Sequence, residues 1–345
     1  VLLTDAAHSG HLIVLHNPRT CTAVALHLLQ TPRKVSEVLP PSTTAKLSQL
    51  FAARPRKRRL IHLWEDQWSN SPQIVRSRLL AALGRTRREF ARRTIVRRID
   101  TATLDAFLLD NHLWGPTKAR YRYGLYTAPR RHTLRAKPDG KCTGGIHGSS
   151  TLVIKKKEAA GHDEGELIAV ASFSARRHMA RADGRRSRSH ELIRYCSKRD
   201  LTVVGGISKL IAAFAAEAEP DDIVTVVDRD WSTSEGWVGL GFVSVQQMKP
   251  VTFFIGPDGL RCHLGTGPNQ FRRRLPPELL EEFEDGWSTV SGSDSNTVIF
   301  CATCPGDCEE KHRELSKFLA DHGYFPVFDA GAERLILLLQ PHAVL

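Results

Sequence analysis

The stretch from Glu166 to Val245 constrains the fold most, because it reads as one continuous unit of strands and helices with a glycine turn in its middle. ELIAVASFS (Glu166 to Ser174) and HELIRYCS (His190 to Ser197) are short apolar runs rich in strand formers, joined by an arginine-rich loop. In TVVGGISKLIAAFAAEAEPDD, Gly205 and Gly206 follow an apolar run and precede a helix. Its Ile207, Leu210, Ile211 and Phe214 recur at helical spacing, and Pro220 and Asp221 are expected to end it. IVTVVDR (Ile223 to Arg229) reads as the next strand, a small helix around SEGWVGL follows, and a last strand starts at Gly241. The expected class is α/β with a mixed sheet.

That order, with its closing LGF, resembles the GNAT acyltransferase superfamily, whose phosphate-binding turn lies between the fourth strand and the helix after it. The resemblance implies an acyl-CoA cofactor, with Gly205, Gly206 and Ser208 at its phosphates. Backbone N–H groups at a helix N-terminus make an anion site, but glycine at a strand-to-helix turn also serves geometry alone. TVVGGIS lacks the basic lead and the glycine spacing of the GNAT signature.

A second resemblance runs from about Arg58 to Leu338. LIHLWEDQWSNSPQIVRSRLLAALG, DNHLWG, LIAVASFS, HELIRYCSKRDLTVVGGISKL, VVDRDWSTSEGWVGLGF and HGYFPVFDAGAERL look like the carboxy-terminal two thirds of phage-type, Hef-like homing-endonuclease proteins. It implies three parts: a degenerate nuclease segment of Vsr or PD-(D/E)XK type over 1–84, an arginine-rich connection over 85–100, and a GNAT-like domain over 101–345 with an insertion at 129–163. LIHLWEDQW resembles the last core strand and turn of the nuclease fold. Val1 to Lys57 offers only Asp5 and Glu37 as acids, too few for the convergent carboxylates that hold Mg²⁺. Nuclease activity from this chain is therefore not expected. DRxWS recurs in the resembled proteins, which implies a catalytic or positioning role for Asp228 and Ser232, with Asp228 a candidate general base. The alternative is an Asp and Arg pair with a serine cap on the next helix. His112 lies where Mom-type DNA-modifying enzymes carry a histidine; a capping or packing role is the alternative.

Lys and Arg outnumber Asp and Glu by 49 to 37, a net charge of +12, which favours polyanionic partners. The densest basic run, RTRREFARRTIVRRID (Arg85 to Asp100), is expected to set Arg92, Arg93, Arg97 and Arg98 on or beside a strand. With Arg185 and Arg186 in the loop SARRHMARADGRRSRSH, and Arg229 at a strand end, these are the expected nucleic-acid contacts, DNA before RNA. Guanidinium forks suit phosphate geometry; a merely solvated basic face is the alternative. Seven cysteines, an odd number, argue for reduced thiols and an intracellular location, nuclear or organellar in a eukaryote. No apolar run approaches the ~20 residues of a membrane span, so no membrane partner is expected.

Elsewhere, HLIVLH reads as a strand and CTAVALHLLQ as a helix. Ser71 to Leu83 reads as a helix capped by Gly84, and DTATLDAFLLD as one capped by Asp100 or Thr101. FPVFDAGAERLILLL reads as a β-hairpin. Cys301, Cys304, Cys308 and His312 have enough soft ligands for one zinc ion, but VIFCAT reads as a buried strand, and no metal is assigned. The expected function is nucleic-acid binding by a GNAT-like domain, with acyl or group transfer onto a nucleobase or other amine as the alternative.

Overall fold

A computed structural model of the protein describes residues 11–52, 59–128, 165–180, 186–263, 273–274, 279 and 316–339. Two strands come first, β1 (His11–Asn17) and β2 (Thr22–Leu29), and the second corrects the helix expected for CTAVALHLLQ. With α1 (Thr43–Ala52) and β3 (Arg59–Trp64), they make a three-stranded sheet in which β2 is the middle strand, antiparallel to β1 and parallel to β3. Ala25 packs with Phe51 and Leu60, whereas Val24 and Leu26 pack with Ile61, Leu63, Ile74 and Val75. A strand covered on both faces becomes a continuous apolar run, which periodicity cannot separate from a buried helix.

Two helices follow, α2 (Glu65–Asn70) and α3 (Pro72–Ala82), and Gly84 takes the left-handed conformation just beyond them (φ 68°). The arginine-rich run is broken into β4 (Arg87–Phe90), a single 3-10 turn (Ala91–Arg93) and β5 (Thr94–Arg98). Asp100 caps α4 (Thr101–Asn111) by accepting from the Thr103 N–H at 2.8 Å.

The main sheet takes in β6 (Tyr121–Thr127), β7 (Leu167–Phe173), β8 (Arg177–Ala180) and β9 (Arg186–Ser197). After β10 (Leu201–Val204) and α5 (Gly206–Ala218) come β11 (Asp222–Asp228), α6 (Glu235–Val238) and β12 (Val243–Met248). The smaller strands β13 (Thr252–Ile255), β14 (Arg261–His263), β15 (Arg273–Arg274) and β16 (Phe325–Phe328) precede β17 (Ala332–Leu338), which returns to the main sheet. Across that sheet the order is β5-β6-β7-β9-β11-β17-β12, with β8 beside β9. Every neighbouring pair in it is antiparallel except β9 with β11. A parallel pair needs a crossover, and α5 supplies it.

One face of α5 enters the sheet core, where Phe214 stacks on Phe173 with ring centroids 3.9 Å apart, and Leu210 and Ala213 are fully buried. Val170 and Tyr126 turn the other way, to Leu104, Phe107 and Leu108 of α4. The protein is thus mixed α/β, with α4 and α5 packing on opposite sides of the sheet. Pairing of β9 with β11 stops at Leu192 and Thr225 although both strands run on, so their carboxyl ends diverge.

Two further expectations need correction. SARRHMARADGRRSRSH is in good part a hairpin, since β8 pairs with the start of β9. FPVFDAGAERLILLL is not a hairpin, because β16 pairs with β13 while β17 pairs with β11 and β12. The segment between them is held by contacts remote in sequence: Ala330 N–H donates to Asp230 Oδ1 at 2.7 Å, and the Thr44 hydroxyl donates to the Asp329 carbonyl at 2.9 Å. Residues 129–164, including the expected insertion, lie outside the described residues, as do Cys301, Cys304, Cys308 and His312. Among the described residues no helix is long and apolar enough to cross a membrane.

Candidate functional site

Parallel pairing of β10 with β4 sets Val204 beside Phe90, and both chains turn away immediately afterwards. The turns leave a cleft of about 460 Å³ lined by Phe90, Ala91, Arg92, Val204, Gly205, Ser208 and Lys209. Gly205 precedes α5 in the left-handed conformation (φ 75°) that favours glycine. Gly206 faces inwards, where a Cβ would come within 2.8 Å of the Tyr195 hydroxyl. The structure therefore brings Gly205 and Ser208 to the cleft and gives Gly206 a packing role. The Lys209 ammonium donates to the carbonyls of Ala91 (2.9 Å) and Thr94 (2.5 Å), tying α5 to the 3-10 turn. At the rim, the Arg92 guanidinium lies 5.0 Å from the centroid of the Phe90 ring, which is 39% exposed. The positive end of the α5 dipole points the same way.

The expected arginines do not form one row. Arg92 and Arg93 are exposed in the turn, with Arg87 and Arg88 exposed on β4 beside them. Arg97 and Arg98 are successive residues of β5, so they leave opposite faces of the sheet. Arg97 sits 4.9 Å over the Tyr126 ring, whereas Arg98 lies over Tyr121 and Tyr123 and pairs with Glu217 at 3.7 Å. Arg229 is half-buried near His62, whose pKa its charge helps to lower. Arg186 pairs with Ala180 across the β8–β9 hairpin, and Arg185 falls outside the described residues.

Trp114 links His112 to Asp228 where β9 and β11 diverge, and Ser232 follows Asp228 in the turn after β11. The Trp114 N–H donates to His112 Nδ1 (3.1 Å), and the Trp114 indole N–H donates to Asp228 Oδ2 (3.1 Å). Asp228 Oδ1 accepts from the Asp230 N–H (2.9 Å), and the Ser232 N–H donates to the Asp228 carbonyl (3.0 Å). Arg194 of β9 donates to the Gly115 carbonyl at 3.3 Å, so His112 to Gly115 spans the gap between the two strand ends. Arg78 stacks on Trp231 at 4.5 Å; burial lowers its pKa to about 10, with Asp228 opposing the shift. Asp228 interacts electrostatically with Arg78, and the residue preceding α6 is Ser234.

Two buried polar clusters escaped the sequence reading. His27 Nδ1 and His62 Nδ1 are 2.9 Å apart, and His62 Nε2 is 2.8 Å from the Ser48 hydroxyl. The order Ser, His, His has the outline of a nucleophile, a base and an orienting group. Burial, however, lowers the pKa of His27 to about 4 and that of His62 to about 3, too weak for general-base work at neutral pH. The signal was a single histidine inside each of two apolar runs, ALHLL and LIHLW. In the second cluster Asp66 accepts two hydrogen bonds from Arg261, both 2.8 Å, with Trp64 and Phe253 packed around the guanidinium. Asp230 lies nearby, its pKa raised by burial and by the charges of Asp228 and Asp329. Among the described residues no group of three or more His, Cys, Asp or Glu side chains is placed to hold a metal ion. Comparison of the chain with known protein families, curated proteins and solved structures gave no match.

Proposed function

We propose that the protein binds nucleic acid, DNA before RNA, through the surface of β4, the 3-10 turn after it and the cleft before α5. The observation that carries this reading is the set of four exposed arginines, Arg87, Arg88, Arg92 and Arg93, on β4 and the turn after it, of which Arg92 lines the cleft. Among the described residues none of the four has an acidic partner, in contrast to Arg98 with Glu217 and Arg188 with Asp221. Arginines not held in salt bridges displace counterions from phosphates readily, and the net charge of +12 adds long-range attraction.

A salt titration of duplex DNA binding tests the reading. Replacing Arg88, Arg92 and Arg93 together by alanine is expected to flatten the log–log salt slope by roughly two to three, at about 0.9 per phosphate contact. Replacing Arg97 and Arg98 should change it by less than about one. Equal losses in the two variants would move the interface elsewhere, and no binding by the wild type at low salt would remove the proposal.

A specific observation favours group transfer as a second reading. The strand order, antiparallel but for one parallel pair crossed by α5, supports a GNAT-like sheet, with coenzyme phosphates near Gly205 and Ser208. Against it, the segment His112 to Gly115 covers the diverging strand ends, where open sheets take ligands. Saturating coenzyme A is expected to leave the Tm unchanged. A rise of several degrees, lost in Gly205→Val, would reverse the ranking.

A further inference from the structure

We infer that the cleft before α5 receives one unpaired nucleotide of a single strand. This rests on the nucleic-acid reading above and goes further, because it names the form of nucleic acid that the cleft selects.

Duplex phosphates need cations at the surface and gain nothing from apolar walls. This cleft has both. Phe90, Ala91 and Val204 supply apolar surface, and the cleft, about 460 Å³ and open to solvent, has room for a single base. A base inside a duplex has its faces covered by its neighbours, whereas an unpaired base presents a π-face. Phe90 is exposed although no core requires an aromatic ring on this short strand. Arg92 lies over it at 5.0 Å, so ring and guanidinium form a stacking platform of the kind that holds unpaired bases.

Polar groups are few and stand at the margins. Ser208 offers a hydroxyl from the first turn of α5, and Arg92 and Arg88 stand where flanking phosphates of the strand would pass. Arg88 shares the face of β4 with Phe90, since alternate residues of a strand point the same way. Lys209 is bound to two carbonyls and serves to fix the wall. The same cleft would discriminate poorly among bases, because stacking tolerates any of them.

The test uses the full chain, a single-stranded 12-mer with a central 2-aminopurine, the matching duplex, and heparin as a polyanion without bases. Phe90→Ala is expected to weaken single-strand binding about tenfold and to abolish the quenching of 2-aminopurine. Affinity for heparin, and the salt slope, should not move, since no charge is lost. Phe90→Trp should retain both affinity and quenching. If Phe90→Ala leaves single-strand binding intact, or weakens all three ligands equally, the inference is overturned while heparin and duplex binding keep the broader reading. If wild type binds none of the three, both fall. Displacement of the strand by AMP at equal nucleotide concentration would make the ligand a free nucleotide and also overturn the inference.

Discussion

Asp66→Ala is expected to destabilise the protein by about 3–5 kcal/mol, the cost of leaving one member of a buried ion pair alone. Both side chains are nearly inaccessible, Arg261 at 3% and Asp66 at 4% exposure, and the pair is bidentate. Arg261 cannot shed its proton to relieve the loss. It also has no route to water, with Trp64 at 5.7 Å and Phe253 at 5.3 Å. Asp329 attracts it from farther away, so the loss should fall towards the lower end of the range. The pair joins α2 to β14, and the effect is therefore on the cohesion of the three-stranded sheet with the sheet that β13, β14, β15 and β16 form, rather than on either alone. Urea unfolding should show a lower midpoint with an unchanged m-value. Asp66→Leu combined with Arg261→Met should recover much of the loss, because apolar side chains of similar volume avoid the desolvation penalty. A loss below about 1 kcal/mol for Asp66→Ala would mean that the guanidinium finds another partner.

Nothing in the sequence joins Asp66 to Arg261, 195 positions apart, and this is where sequence reading stops. Elements defined by local pattern were legible. The amphipathic run from Ile207 to Phe214 gives α5, and Asp100 caps α4. Elements defined by what covers them were not. The helix expected over CTAVALHLLQ is a strand because two different cores bury its two faces, and an apolar run carries no record of which neighbours surround it. The hairpin expected over FPVFDAGAERLILLL fails for a related reason. Its two strands are both real, but the pairing partners lie in different sheets, and a turn sequence specifies a bend without specifying what lies beside it. The site divides similarly. Gly205 and Ser208 mark the turn before α5 in the sequence, whereas Phe90 and Arg92 join them only because β10 comes to lie beside β4. The arginine run likewise promises one basic strand, and a 3-10 turn and strand alternation divide it into exposed and tethered halves.

Acidification from pH 6.5 to 5 is expected to cost about 2 kcal/mol of stability for each of His27 and His62. Burial lowers their pKa values to about 4 and about 3, with the charge of Arg229 and the facing ring His27 adding to the effect at His62. Above pH 6.5 both rings are neutral in the folded and unfolded chains alike, so they add no pH dependence. Below it the unfolded chain takes up two protons that the fold refuses, and stability falls with pH until the folded values are reached. Asp230 works in the opposite direction. Its raised pKa means that the folded chain keeps a proton which the unfolded chain has released, so stability at this carboxyl falls as pH rises above its ordinary value near 3.8. The wild-type dependence is the difference between the two effects. Asp230→Asn, which cannot titrate, should therefore lose stability more steeply between pH 6.5 and 5 than the wild type does. Replacing both histidines by glutamine should flatten or invert the slope. The decisive measurement is the unfolding free energy of the three proteins across that interval. A wild type steeper than Asp230→Asn would mean that Asp230 is ionised in the fold, with its charge held by Arg261.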